Sequence, residues 1–192
     1  MIQIGKKYGS YYKRKGENKY MKYTSSEANK LLKKLYEEEH SILMLEERSK
    51  EFRASIGEEL EAIRPAYDYQ VIQKELDRIN NQIVKVKHAI NLFNVQTKIP
   101  GFDLTIDQAL IFMAQLTNRI EKLSLMKNRL PMERVGATGM SGRSGLPIIE
   151  YDYANYDIQQ VTADYVEKAD QLAKLQTALD LLNNTETFDI EL

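Results

Sequence analysis

The feature that most constrains the fold of this chain is a hydrophobic heptad repeat between residues 68 and 94. Its apolar residues alternate at spacings of four and three, and they are Ile72, Leu76, Ile79, Ile83, Val86, Ile90 and Phe93. On an α-helix this spacing places all of them on one narrow stripe, the pattern of a coiled-coil seam. Asp68 is expected to cap the start of this helix, and Asn94 and Pro100 mark its end. A stripe of this kind needs partner helices, so the sequence predicts a bundle.

Three further segments carry the same period. The first runs from a capping box at Thr24 to about Ile63, with a kink or break allowed between Ser49 and Gly57. The other two helices are expected to start at Thr105 and Asp157, and to end at Pro131 and Asn183, respectively. Leu130 is placed on the seam of the helix that Pro131 ends. We therefore predict a mainly α fold, a four-helix coiled-coil-like bundle that assembles as a homo-oligomer.

Two short β elements accompany the predicted helices. Residues 132–153 form a glycine-rich hairpin, in which residues 132–135 pair with residues 148–153 around glycines set three apart. Residues 188–192 alternate between apolar and acidic side chains, which predicts a short terminal strand. The predicted bundle domain therefore spans residues 24–192 and includes a small β-hairpin.

Residues 1–23 differ in composition from this domain. They contain seven lysine or arginine residues and one glutamate, and five tyrosines lie among them. A basic, tyrosine-rich extension of this kind suits an anionic partner on which rings can stack, such as a nucleotide. The alternative is a solvated N-terminal extension without a partner.

The composition excludes several classes of function. The chain has no cysteine, which removes thiol nucleophiles and zinc-thiolate sites, and it has only two histidines. Glu37 and His40 have the spacing of a di-iron ligand pair, but His88 lacks the carboxylate that a second pair requires. We therefore predict a non-enzyme with no metal and no cofactor. No apolar run approaches the roughly 20 residues of a membrane span, and no signal peptide is visible, so a cytoplasmic protein is expected.

Candidate ligand-binding residues cluster around the predicted hairpin. Arg134 and Arg143 bracket glycines whose backbone amides can approach an anion, and Tyr151 and Tyr153 share one face of the following strand. Asn91 and Asn94, one helical turn apart, are added as residues that can read the edge of a ligand. Two alternatives stay open. In the first, the tip of the predicted hairpin is a solvated loop that binds no ligand. In the second, Asn91 and Asn94 only cap the C-terminal end of a helix.

Several short motifs occur in the order found in a known family. They are Ile90-Asn91-Leu92-Phe93-Asn94, Leu104-Thr105, Ala109-Leu110, Leu179-Asp180, Asn183, Thr185, Phe188 and Ile190. In this order, from about Lys22 onwards, the chain resembles the septicolysin-like family of small helical bacterial and phage proteins. The resemblance implies a helical bundle with a binding or assembly role, and it brings no catalytic residues. The family name also implies a cytolysin.

Three hypotheses of function follow. The first is a non-enzymatic, oligomeric binding protein that captures a small anionic ligand, such as a nucleotide or cyclic nucleotide, with no specific nucleic acid and no membrane as partner. In a phage, such a protein acts as a sponge for host defence signals. The second is a purely structural coiled-coil protein, and the third is the cytolysin-like protein of the family name.

Overall fold

The computed structural model describes residues 20–135 and 150–192. The helices are α1 (Ser25–Ser49), α2 (Leu60–Ile63), α3 (Tyr69–Gln96), α4 (Ile106–Lys127) and α5 (Ile158–Thr185). The strands are β1 (Tyr20–Thr24), β2 (Met132–Arg134), β3 (Tyr151–Tyr153) and β4 (Thr187–Glu191). Within the described residues, β1 pairs with β4 and β2 with β3, both antiparallel. The prediction of a mainly α fold with a small hairpin and a terminal strand is confirmed.

The predicted helix starts are confirmed by hydrogen bonds at the caps. The Thr24 hydroxyl accepts from the backbone N–H of Glu27 at 3.3 Å, and the Glu27 carboxylate accepts from the N–H of Thr24 at 2.9 Å. Thr105 and Gln108 form the same reciprocal pair at the start of α4. Such capping boxes satisfy backbone donors that a helix leaves unpaired in its first turn. At α3 and α5, the carboxylates of Asp68 and Asp157 accept from backbone N–H groups of the first turn.

One predicted helix end is wrong, and one predicted break is confirmed. The break allowed between Ser49 and Gly57 is present, since α1 ends at Ser49, residues 50–59 are not helical, and the short helix α2 ends at Ile63. Within this break, Gly57 has a φ of +95°, a left-handed conformation that glycine adopts without steric cost. The third helix ends at Lys127, and Leu130 is 59% exposed instead of lying on the seam. Pro131 disfavours helical backbone in the residue before it, so the helix stops short of Leu130.

The chain divides into two compact units, residues 1–93 with 183–192 and residues 94–182. In the first unit, α1 and α3 form an antiparallel helical hairpin, with side-chain hydrogen bonds such as Gln73 Nε2 to Glu46 Oε1 at 3.0 Å. Its core is a cluster of buried apolar residues: Ala28, Leu35, Ile79, Ile83, Val86 and Ile190. Three of these belong to the predicted α3 seam, and Leu76 is buried as well, so burial of the central seam is confirmed.

The pair of strands β1 and β4 covers this core. Tyr20 pairs with Glu191 and Thr24 with Thr187, and the Phe188 ring of β4 stacks on Phe93 with centroids 4.6 Å apart. Tyr20 to Tyr23, which the sequence analysis assigned to the N-terminal extension, therefore belong to a strand of the first unit. The expected terminal strand has the first residues of the described chain as its partner.

The second unit contains α4, the hairpin of β2 and β3, and α5 up to Leu182. Before α4, residues Lys98 and Thr105 form an isolated antiparallel bridge around a turn in which Gly101 has a φ of +81°. The buried apolar residues of this unit are Ile99, Ile106, Ala109, Leu116, Leu123, Val161, Leu175, Leu179 and Leu182. Among the described helices of either unit, none is both long and apolar enough to span a membrane.

A candidate ligand-binding hairpin

The hairpin of β2 and β3 holds three of the predicted ligand-binding residues. Its antiparallel register pairs Met132 with Tyr153, Glu133 with Asp152, and Arg134 with Tyr151. Two further backbone hydrogen bonds extend it, from the N–H of Val135 to the Glu150 carbonyl at 3.0 Å and from the N–H of Ala154 to the Pro131 carbonyl at 3.1 Å. The hairpin is therefore fixed at its base by a continuous ladder of backbone hydrogen bonds.

This register sorts the side chains onto two faces. Side chains alternate along each strand, and directly paired residues share a face. Arg134, Tyr151 and Tyr153 therefore lie on one face with Met132. The two tyrosine rings have centroids 6.4 Å apart, and their side chains stay accessible, with 42% of Tyr151 and 66% of Tyr153 exposed. The face combines a guanidinium with two open aromatic rings.

The charged side chains on the two faces of the hairpin differ in whether they form ion pairs with described residues. The exposed Arg134 forms no hydrogen bond or ion pair with any residue of the described ranges. On the opposite face, Asp152 is engaged by Arg129, whose Nη2 lies 3.1 Å from Asp152 Oδ2. The hairpin therefore presents, on its aromatic face, a cation that no residue of the described ranges pairs with, and the Asp152 carboxylate on the other face is engaged by Arg129.

An open cleft of about 470 Å³ lies beside the hairpin. It is lined by Leu125, Met126, Arg129, Asp152, Tyr153, Ala154, Asn155 and Tyr156. The Tyr156 hydroxyl donates to the backbone carbonyl of Met126 at 3.0 Å and so ties the segment after β3 to the end of α4. Tyr153 belongs both to this cleft and to the aromatic face of the hairpin. The cleft was not predicted from the sequence. Leu125, an apolar residue in the last turns of α4, is 77% exposed and forms part of its lining.

The other predicted site residues lie elsewhere. Arg143 is outside the described residues. Asn91 and Asn94 lie in the last turns of α3, where Asn91 is exposed and Asn94 partly buried. Because α3 continues to Gln96, Asn94 lies inside the helix, so the alternative that these asparagines cap its end does not fit. Arg134, Tyr151 and Tyr153 are thus the predicted residues that one described element brings together.

Residues 20–135 and 150–192 contain no cluster of three or more histidine, aspartate or glutamate side chains arranged to hold a metal ion. His40, the residue of the Glu-x-x-His spacing, is exposed on α1.

Comparison with known proteins places the fold but no activity. The chain is similar to the crystal structure of a functionally unknown conserved protein from Corynebacterium diphtheriae, with a TM-score of 0.53 and 17% sequence identity. The match covers 88% of this chain and 99% of that one. No family model matches the sequence, and no curated protein does. The similarity therefore indicates a fold shared with a bacterial protein along most of both chains.

Proposed function

We propose that this chain is a non-enzymatic binding protein that captures a small anionic ligand with an aromatic part, such as a nucleotide or cyclic nucleotide. The observation that carries the proposal is the cross-strand pair of Arg134 and Tyr151, with Tyr153 on the same face. A guanidinium without an ion-pair partner among the described residues is available for a phosphate, and exposed tyrosine rings are available for a base. In a phage, such a protein would remove a host defence signal by binding it.

The ligand chemistry follows from the residue types. Arginine presents a planar fork of donors that matches the oxygens of a phosphate, whereas tyrosine offers a flat ring with little conformational freedom to lose. Stacking on an aromatic ring tolerates any base, so this face is expected to bind nucleotides as a class and not to select one base. The adjoining cleft shares Tyr153 with this face, and it offers Asn155 and Tyr156 as polar groups that can select among members of the class.

A thermal-shift screen tests this proposal. Nucleotides, cyclic mononucleotides and cyclic dinucleotides are each added at about 1 mM to the full chain. A ligand that binds only the folded protein at a hundred times its dissociation constant stabilises it by about 2.7 kcal/mol, which raises the melting temperature. We expect at least one phosphate-bearing nucleotide to raise the melting temperature and its nucleoside to have no effect. If none of the nucleotides changes the melting temperature, the binding function is rejected in favour of assembly alone.

A second candidate function is self-association, as expected of a structural coiled-coil protein. Many large apolar side chains are exposed on the described helices, including Val84, Leu92, Val95, Ile111, Val166 and Leu181. Exposed apolar surface beyond a few isolated residues often marks an interface. We also propose that the chain belongs to the septicolysin-like family, on the order of the short motifs that it shares with that family.

Self-association predicts a particle larger than one chain. We expect light scattering coupled to size exclusion to give a dimer or larger oligomer at micromolar concentration, because many large apolar side chains of the described helices are exposed. A mass equal to that of one chain, 22.3 kDa, across this concentration range would exclude the homo-oligomer. This measurement is independent of the ligand screen, so the two candidate functions are tested separately.

A further inference from the structure

The helical hairpin of α1 and α3 is covered along only half of its length. Its first half holds the buried cluster under β1 and β4, whereas residues 36–75 contain no buried residue at all. We call residues 36–75 the distal half. Its large exposed side chains are Tyr36, Leu43, Met44, Leu45, Phe52, Ile56, Leu60, Ile63, Tyr69 and Val71. The distal half therefore presents an apolar surface that no described part of the first unit covers.

Contacts within the first unit show where the covering layer stops. Lys87 Nζ lies 5.3 Å from the centre of the Tyr36 ring, which fixes the level at which α3 faces the start of the distal half. Lys85, half a turn away on α3, has its Nζ 3.5 Å from Glu191 Oε1, and Glu191 is the strand partner of Tyr20. Tyr20 therefore lies near the level of Lys85, about 15 Å along α3 from the end of the distal half at Glu75, at about 1.5 Å per residue.

The direction of β1 shows from which side the preceding residues come. Tyr23 pairs with Phe188, which stacks on Phe93, more than a turn of α3 beyond the level of Lys85 and away from the distal half. From Tyr20 to Thr24 the chain therefore runs away from the distal half. Tyr20, the first described residue, is thus the residue of β1 that lies towards the distal half.

The charge of this surface is strongly negative. Residues 36–75 contain eleven acidic and five basic residues, a net charge of −6, whereas residues 1–19 contain six basic residues and one acidic residue, a net charge of +5. The pKa of Lys50 is raised by its hydrogen bond to Glu47 and by the charge of that glutamate. The pKa of Tyr67 is raised by burial and by its hydrogen bond to Glu46. The raised pKa of Lys50 agrees with an excess of carboxylates in the distal half.

This charge also limits what can cover the surface. Two copies meeting through their distal halves would bring like charges together, which opposes association. A partner that carries both cations and apolar or aromatic side chains fits better. Arg64 already shows such a contact inside the distal half, since its guanidinium carbon lies 5.8 Å from the centre of the Phe52 ring.

We propose that residues 1–19 of the same chain cover the distal half of the hairpin. Their cations lie among Ile2, Ile4, Tyr8, Tyr11 and Tyr12, which supply the apolar and aromatic contacts. From Tyr36 to the end of α1 at Ser49 the helix rises by about 20 Å, at about 1.5 Å per residue. About six extended residues span that distance, at roughly 3.3 Å each, so nineteen residues are sufficient. Residues 1–19 thus have a binding surface within their own chain, whether or not the β-hairpin of β2 and β3 binds a nucleotide.

Spin labelling tests this arrangement directly, because the chain has no cysteine to compete with an introduced one. A nitroxide is attached to the full chain through Tyr12→Cys, and backbone amide signals are compared before and after chemical reduction of the label. We expect residues 43–64 to lose most of their signal intensity and those of α4 to keep theirs. Unchanged intensities at residues 43–64 would overturn the proposal.

Two variants separate charge-driven docking from accidental proximity. Glu51 and Glu59 have no ion-pair partner among the described residues, and the double variant Glu51→Lys and Glu59→Lys is expected to restore the signals of residues 43–64. Glu121→Lys, an equally exposed change on α4, is the matched control and should leave the broadening unchanged. Broadening that persists in the double variant, with circular dichroism showing intact helices, would contradict the charge complementarity.

A mixed sample distinguishes the same chain from a second copy. Isotope-labelled chain without a nitroxide is mixed with unlabelled chain that carries one. We expect no broadening in this mixture, since residues 1–19 of each chain cover the distal half of the same chain. Broadening of residues 43–64 in the mixture, as strong as that within one chain, would show that residues 1–19 of a second copy cover the distal half. That result would overturn the assignment to the same chain.

Discussion

Replacing Ile83 with alanine is expected to lower the free energy of unfolding by roughly 2–5 kcal/mol, the usual cost of truncating a buried aliphatic side chain. Ile83 is 7% exposed and belongs to the buried cluster between α1, α3 and β4. The loss combines the transfer energy of the deleted methyl and methylene groups with the cavity that they leave. Leu76, 8% exposed on the same seam, should behave in the same way. Urea denaturation followed by circular dichroism measures both.

Val84 gives the matched control for this prediction. It is adjacent to Ile83 on α3, but its side chain is 65% exposed. Val84→Ala should therefore change stability by less than about 0.5 kcal/mol, as is usual for surface substitutions. A loss below about 0.5 kcal/mol at both Leu76 and Ile83 would mean that the α3 seam is not the core of the first unit.

Replacing Arg134 with alanine is expected to weaken binding of the nucleotide found in the screen by about tenfold to more than a hundredfold. This range corresponds to roughly 1.5–3 kcal/mol, the value of a hydrogen bond to a charged group. Tyr151→Ala should cost roughly 1–3 kcal/mol of binding energy through lost stacking. Arg143 is the second arginine that brackets the glycines of the predicted hairpin, and Arg143→Ala is expected to weaken binding as much as Arg134→Ala. Isothermal titration calorimetry measures the dissociation constants.

Folding should be almost unaffected by these changes. Both Arg134 and Tyr151 are exposed, and neither belongs to the buried residues of the second unit. Arg119→Ala, an exposed arginine on α4, is the control for loss of a positive charge and should bind like the parent. If Arg134→Ala and Tyr151→Ala both bind undiminished, the ligand site is not on the hairpin, and the lysines and tyrosines of residues 1–23 become the next candidates.

Local patterns in the sequence predicted the parts of the fold that depend on local physics. The capping boxes at Thr24 and Thr105 involve residues three positions apart, so the helix starts are visible without tertiary information. The α3 seam is equally local. The break after Ser49 is different, since residues 50–59 leave the helix and include a left-handed turn at Gly57, which the sequence allows but does not require. A glycine only permits such a turn.

The residues on the aromatic face of the hairpin were also predictable from local patterns in the sequence. Strand alternation places Tyr151 and Tyr153 on one face, and the hairpin register adds Arg134 to it. The adjoining cleft was not predictable, because Leu125 in the last turn of α4 and Arg129 just after that helix meet residues 152–156 only after the hairpin has folded. Contacts of this kind leave no periodic signal in the sequence.

The pairing of β1 with β4 has a consequence for the order in which the protein folds. Tyr20 and Glu191 are strand partners, so one of the first described residues contacts one of the last. Ile190, fully buried against α1 and α3, is made by the ribosome long after those helices. Until then, the nascent α1 and α3 lack one side of their core, and closing so long a loop is slow. The first unit therefore completes its folding after translation of the second, and chaperones that bind exposed apolar surface have that interval in which to act.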